Sequence, residues 1–203
     1  MSKKVWNHNY AYHNWISKNI NNNSNVLDVG CGDGTLIWKI REKCKKVFGI
    51  DKDTKSINIA ENNNKYDNVY FINDDFLKYD FGNIKFDSII FVASIHHMNI
   101  DNALIKAKSL LNNNGKIIIV GLSKPSSITD YIIEIFRVLP SFVISKIKRN
   151  KTSEEMNIET NYSFPTSDEV RNTCKKILKE NYKIKYALHY RYLLLWTKNE
   201  SED

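Results

Sequence analysis

Glycine is scarce in these 203 residues, seven in all, yet three fall within Gly30-Cys31-Gly32-Asp33-Gly34, directly behind the apolar run Val26-Leu27-Asp28-Val29. A short apolar stretch that breaks into glycines and then into helical spacing (Leu36, Ile37, Ile40) reads as a strand–turn–helix unit. Glycines at that point let the backbone come close to a ligand and expose N–H groups at a helix start, where a cofactor phosphate or carboxylate is held. The alternation continues along the chain. Strands are expected over 46–50, 69–72, 86–92 and 116–120, with helices over 54–62 and 101–111 and a turn at Asn114-Gly115. In the helix over 54–62, Ile57, Ile59 and Ala60 are assigned inward. Ile89-Ile90-Phe91-Val92 is apolar without alternation, as a parallel strand covered on both faces requires. The chain is therefore expected to be α/β, a doubly wound, mostly parallel seven-stranded sheet.

The flanks divide the rest. Residues 1–22 carry Trp6, Tyr10, His13 and Ile16 at helical spacing, an N-terminal helix or cap ahead of a core over 24–121. Residues 122–163 break the pattern with an apolar stretch, 131–147, interrupted by Pro140 and followed by Lys146, Lys148 and Arg149; a helical insertion is expected there. Residues 166–198 resume with Thr166-x-x-Glu169, a capping box opening a helix to about Leu178, and then two closing strands over 182–188 and 192–197. The whole is expected to be one domain. Three widely spaced cysteines suit neither a disulfide framework nor a zinc site, so no metal is expected. No apolar run reaches the ~20 residues of a membrane helix, and the first residues offer no signal peptide, so a cytoplasmic location is expected. A net charge of +7 goes with Lys and Asn spread along the whole chain and does not by itself imply nucleic acid.

Two acids narrow the ligand. Asp28 lies inside the first strand, where it would repel a pyrophosphate and attract an ammonium group. Asp51 closes the second strand about 20 residues on, where a carboxylate accepts ribose hydroxyls. The third glycine also comes one position early for the dinucleotide fingerprint G-x-G-x-x-G. A cofactor with an adenosine at one end and an amino acid at the other fits both acids.

Val26 to Gly34 resembles the first motif of the class I S-adenosylmethionine-dependent methyltransferases. Gly49-Ile50-Asp51, Phe71-Ile72-Asn73-Asp74-Asp75-Phe76 and the run from Phe86 to Met98 resemble later motifs in the same order. The resemblance implies a Rossmann-like methyltransferase fold with S-adenosylmethionine as cofactor. It implies a site built from Asp28, Gly30, Cys31, Gly32, Asp33, Gly34, Asp51, Lys52, Asp74, Asp75, Phe76, Val92 and Ala93. In that site Asp74 meets the adenine amino group, the Asp75 N–H meets a ring nitrogen, and Phe76 packs near the ring.

Methyl transfer from a sulfonium needs positioning first and a base only if the acceptor must lose a proton. His96 and His97, leaving the fourth strand, are the candidate catalytic pair. Tyr10, His13 and Trp15 could cap the site. Arg191, expected at the surface near the start of the last strand, could bind an acidic substrate group. Val92-Ala93-Ser94-Ile95 lacks the Pro-Pro-aromatic signature of base and glutamine methylation, which disfavours nucleic acid. The expected function is methyl transfer to oxygen or nitrogen of a small organic molecule, with a lipophilic acceptor and peripheral membrane contact through the basic cluster as added ideas. The alternatives are a cofactor-binding protein without turnover, a nucleic-acid methyltransferase and an NAD-dependent dehydrogenase.

Overall fold

The computed structural model describes residues 8–124, 164–187 and 190–200. All but the first three residues of the insertion expected over 122–163 lie outside these, and so does the basic cluster at 146–149.

A 3-10 turn over His8–Tyr12 leads into α1 (His13–Asn19). There follow β1 (Asn25–Val29), α2 (Thr35–Ile40), β2 (Lys46–Asp51), α3 (Thr54–Asn63), β3 (Val69–Asn73), β4 (Phe86–Val92), α4 (Ile100–Leu110) and β5 (Leu111–Leu122). The closing unit is α5 (Ser167–Thr173), a π-helical turn over Cys174–Leu178, β6 (Tyr182–Ala187) and β7 (Arg191–Thr197). The strands form one seven-stranded sheet in the order β3-β2-β1-β4-β5-β7-β6, parallel except for β7, which runs against both its neighbours.

Alternate side chains of each strand serve opposite faces. Val26, Val47, Ile90 and Ile118 pack on one side with Ile16, Leu36, Ile37, Ile40, Ile57 and Ala60 from α1, α2 and α3. Leu27, Ile50, Ile89, Phe91 and Ile117 pack on the other with Leu104 and Ala107 from α4 and Val170 and Leu178 from the closing unit. Each Val, Leu, Ile or Phe among them contributes about 1.5–3 kcal/mol on full burial.

Two expectations are corrected. Ile59 is 52% exposed, because two residues beyond Ile57 on a helix swing about 200° away. The turn at Asn114-Gly115 is absorbed into β5, where the register jumps from Phe86↔Leu111 to Ser88↔Lys116. The last helix begins at the expected capping box, Thr166 Oγ1 accepting from Glu169 N and Glu169 Oε2 accepting from Thr166 N. It then widens into the π turn, which lays Cys174, Ile177 and Leu178 on the sheet.

The strand order reverses between β1 and β4. That reversal opens a crevice at the strands' C-terminal ends, where sheets of this kind take ligands. The start of β7 reaches the same edge, since Arg191 pairs with Leu122 at the end of β5.

Candidate functional site

The turn after β1 is held from within. Gly30 N and Cys31 N both donate to Ile50 O (2.8 and 3.3 Å), Gly32 N donates to Asp51 Oδ2 (2.9 Å), and Gly34 N donates to Cys31 O (3.0 Å). The row of exposed amides expected for an anion is therefore not available, because β2 takes most of it. Asp33 Oδ1 accepts from Thr35 N (3.2 Å) and Thr35 Oγ1 (2.6 Å), which starts α2. Gly30 has φ +72°, and a Cβ there would stand 2.4 Å from Ser94 Cβ. Ser94 in turn donates from Oγ to Val29 O at 2.5 Å. Gly30 thus lets the ends of β1 and β4 touch.

Two cavities meet at Gly30. The smaller, about 220 Å³, is lined by Asp28, Cys31, Gly32, Asp33 and Val92, with Tyr10 and His13 from the N-terminal segment. The larger, about 300 Å³, is lined by Asp51, Lys52, Asp74, Asp75, Phe76 and Ala93, and also by Ser94 and His97. Every cofactor-binding residue expected from the sequence except Gly34 lines one or both. Gly34 supplies the N-cap of α2. Cys31 is buried and its thiol is pushed far above its ordinary value by burial and by Asp28, so it serves as a small packing group.

Asp28 is 2% exposed, and its Oδ1 has no hydrogen-bond partner among the described residues. Burial, reinforced by the charge of Asp51, pushes its carboxyl up to about 7. A cationic group placed in the smaller cavity would supply the missing partner. Asp51 accepts Gly32 N on one oxygen and Asp53 N on the other, 2.9 Å each. A carboxylate offers roughly four lone-pair sites, so two remain for a vicinal diol. An ammonium and a sugar at this spacing fit the residues present.

The next segment differs in detail from its expectation. Asp75 N donates to Asp74 Oδ1 (2.6 Å) instead of facing the cavity. Asp75 Oδ1 accepts from Leu77 N (2.8 Å), fixing a tight turn. Phe76 is 3% exposed and packs edge-on against Phe91 at 5.7 Å, so most of its ring belongs to the core.

The two histidines stay in ring contact, 4.1 Å between centroids. His97 is exposed and lines the larger cavity, while His96 lines neither cavity and packs edge-on against Phe164 at 5.0 Å. Burial holds His96 down at about 4, helped by His97 and Arg191. His97 is lowered too, by burial and by Lys52, with Asp51 opposing. Both are neutral imidazoles near pH 7. His13 is buried beside Tyr10 (5.3 Å, edge-on) and is also held at about 4, by burial and Lys39. Trp15 lines neither cavity and is half-buried against the core layer that α1, α2 and α3 share, because α1 turns that face to the sheet. Arg191 is not a surface residue; it is 8% exposed, since β7 lies between β5 and β6.

Ser94, Asp53, Ser56 and Met98 also line the larger cavity and were not singled out in the sequence. Asp53 left one readable trace, as the N-cap of α3. Ala93, at φ 52°, carries a left-handed backbone at the rim, the kind of strain that gathers at functional sites. Among the described residues no three His, Cys, Asp or Glu side chains gather as a metal site, and no helix is long and apolar enough to cross a membrane.

Comparison with known proteins gives a consistent family. A model described as a methyltransferase domain matches residues 20–187. An uncharacterized RNA methyltransferase of Mycoplasma mobile is 44% identical over 70 residues, 33% of this chain and 19% of that protein. A solved protein of Pyrococcus horikoshii superposes with a TM-score of 0.66 at 20% identity, covering 94% of this chain and 89% of its own. The plantazolicin methyltransferase BpumL, solved in complex with a monoazolic desmethylPZN analog and SAH, superposes at 0.64 with 19% identity, covering 94% and 80%. The chain spans between 19% and 53% of the length of the first curated relatives it matches.

Proposed function

The chain belongs to the methyltransferase-domain family, and we propose that it transfers the methyl group of S-adenosylmethionine to oxygen or nitrogen of a small organic acceptor. The observation that carries this reading is the buried, unpartnered carboxyl of Asp28 in a cavity that adjoins Asp51 across Gly30. When bound, S-adenosylmethionine supplies a methyl group on a positively charged sulfur, already activated for displacement.

In this reading Asp28 binds the ammonium group and Asp51 the ribose hydroxyls. Asp74 faces the adenine amino group, Phe76 offers the edge of its ring, and Lys52, Val92 and Ala93 form walls. Ser94 and Gly30 hold β1 against β4, so the groups that flank the two cavities keep their spacing. Such fixed placement of donor and acceptor is worth up to ~7–11 kcal/mol of the barrier. His97 belongs to the cofactor side. His96 and His97, ring against ring at 4.1 Å, are the pair that would take a proton from an acceptor that must lose one.

A dehydrogenase using NAD fits less well. Asp28 would oppose a pyrophosphate, and the amides that would hold it are bonded to Ile50 and Asp51. A second reading, an RNA acceptor, is favoured by the name of the Mycoplasma mobile relative, although that match covers 33% of this chain.

Titration calorimetry with S-adenosylhomocysteine and with NAD tests the cofactor. Binding of the first and none of the second is expected; the reverse would overturn the reading. Labelled methyl transfer to a metabolite extract, set beside transfer to total RNA, then separates the two acceptor classes.

A further inference from the structure

Arg191 opens β7 at the ligand edge of the sheet. It is 8% exposed, and its Nε and Nη1 are buried with no acceptor among the described residues. The ion pairs of the described residues lie elsewhere, on Arg41, Arg171 and Lys176. Its guanidinium carbon stands 5.8 Å from the Tyr12 ring centroid, a contact that softens the charge without pairing it. His96, whose electrostatics register Arg191, carries a second buried nitrogen without a partner, Nδ1. Two unsatisfied polar groups therefore sit beside the aromatic rings of Tyr12 and Phe164.

A guanidinium does not shed its proton on burial, so its uncompensated charge persists until an anion arrives. We infer that Arg191 anchors a carboxylate of the acceptor, which makes the acceptor a small planar or aromatic carboxylic acid. This rests on the transferase reading only for calling the bound molecule the acceptor. A carboxylate matches the planar fork of a guanidinium. One fixed cation beside a neutral imidazole balances one negative charge, so a dianionic phosphate would leave charge unmatched. RNA phosphodiesters are singly charged, but single-strand binding uses an open basic groove with exposed stacking rings, not a guanidinium at this burial.

The test uses the full chain with saturating S-adenosylhomocysteine and two isosteric probes, benzoate and benzamide, with acetate and acetamide as smaller counterparts. At least one carboxylate is expected to raise the melting temperature and bind at least tenfold more tightly than its amide. R191Q should lose that preference tenfold or more while binding S-adenosylhomocysteine within twofold of wild type, and R191K should fall between. Equal response to acid and amide, no response to any carboxylate at tens of millimolar, or unchanged carboxylate binding by R191Q overturns the inference. Displacement of benzoate by oligouridylate, with binding lost in R191Q, also overturns it, in favour of a phosphodiester. Should R191Q fail to fold, the acid–amide contrast in wild type decides alone. Absence of S-adenosylhomocysteine binding strikes the transferase reading and leaves the carboxylate contrast to stand separately.

Discussion

Asp28 in the smaller cavity and Arg191 at the start of β7 are both buried ionisable groups, and Asp28 Oδ1 and Arg191 Nε and Nη1 have no hydrogen-bond partner among the described residues. They answer burial differently. The carboxyl escapes by taking a proton, its pKa rising to about 7. Burial lowers the pKa of the guanidinium, yet it remains charged at any pH the fold survives. The free protein therefore meets the acid's strain with a proton, and meets the arginine's with reduced stability. A ligand's cation beside Asp28 would expel that proton; an anion beside Arg191 would relieve a charge that has no other outlet.

The largest effect expected from this contrast falls on Asp28→Asn. The amide keeps the shape and removes the charge, so S-adenosylhomocysteine should bind on the order of 100-fold more weakly, about 3 kcal/mol. Calorimetry measures it, and a loss under threefold would remove Asp28 from the ammonium role. Next comes Gly30→Ala, where φ +72° and the 2.4 Å approach to Ser94 Cβ act together. A loss of about 2–3 kcal/mol in urea unfolding is expected; near-neutral behaviour would mean that the two strand ends are not locked.

The pH dependence of binding sharpens the comparison further. Below about 7 the carboxyl must give up its proton to hold an ammonium. Affinity for S-adenosylhomocysteine should then rise with pH by up to about tenfold per unit until that point, and Asp28→Asn should flatten the rise.

The last effect concerns the unliganded protein. Asp28 is raised from 3.8 to about 7, so the folded state binds the extra proton and this group's contribution falls as pH climbs through that window. His13 and His96, lowered from 6.5 to about 4, act in the opposite sense: their contribution is lost as pH falls from 6.5 towards 4. Subtracting wild-type from Asp28→Asn stability cancels the histidines. The difference should grow by on the order of 1 kcal/mol per pH unit between 3.8 and 7 and be level above. A flat difference would mean that the carboxyl titrates normally.

Much of this crevice was legible before folding. The glycine cluster, Asp28 and Asp51 are separated by short spacings, and a strand followed by a turn converts such spacing directly into position. Gly30, Ala93 and His97 reached the larger cavity for the same reason. The failures share a different cause. Whether the Asp75 N–H faces a ligand depended on the rotamer of its neighbour Asp74. Of His96 and His97, whose rings lie 4.1 Å apart, only His97 lines the larger cavity, because His96 packs against Phe164 from a distant segment, a contact that spacing does not show.

By itself the sequence determined the parallel α/β order, the glycine turn and the two acids that frame it, because period and local spacing act within a few residues. Only the tertiary structure decided that the turn's amides point inward to Ile50 and Asp51, and that β7 slots between β5 and β6 to bury Arg191. Burial is the sum of contacts from distant segments, and it is burial that turns an ordinary arginine or aspartate into a group in want of a ligand.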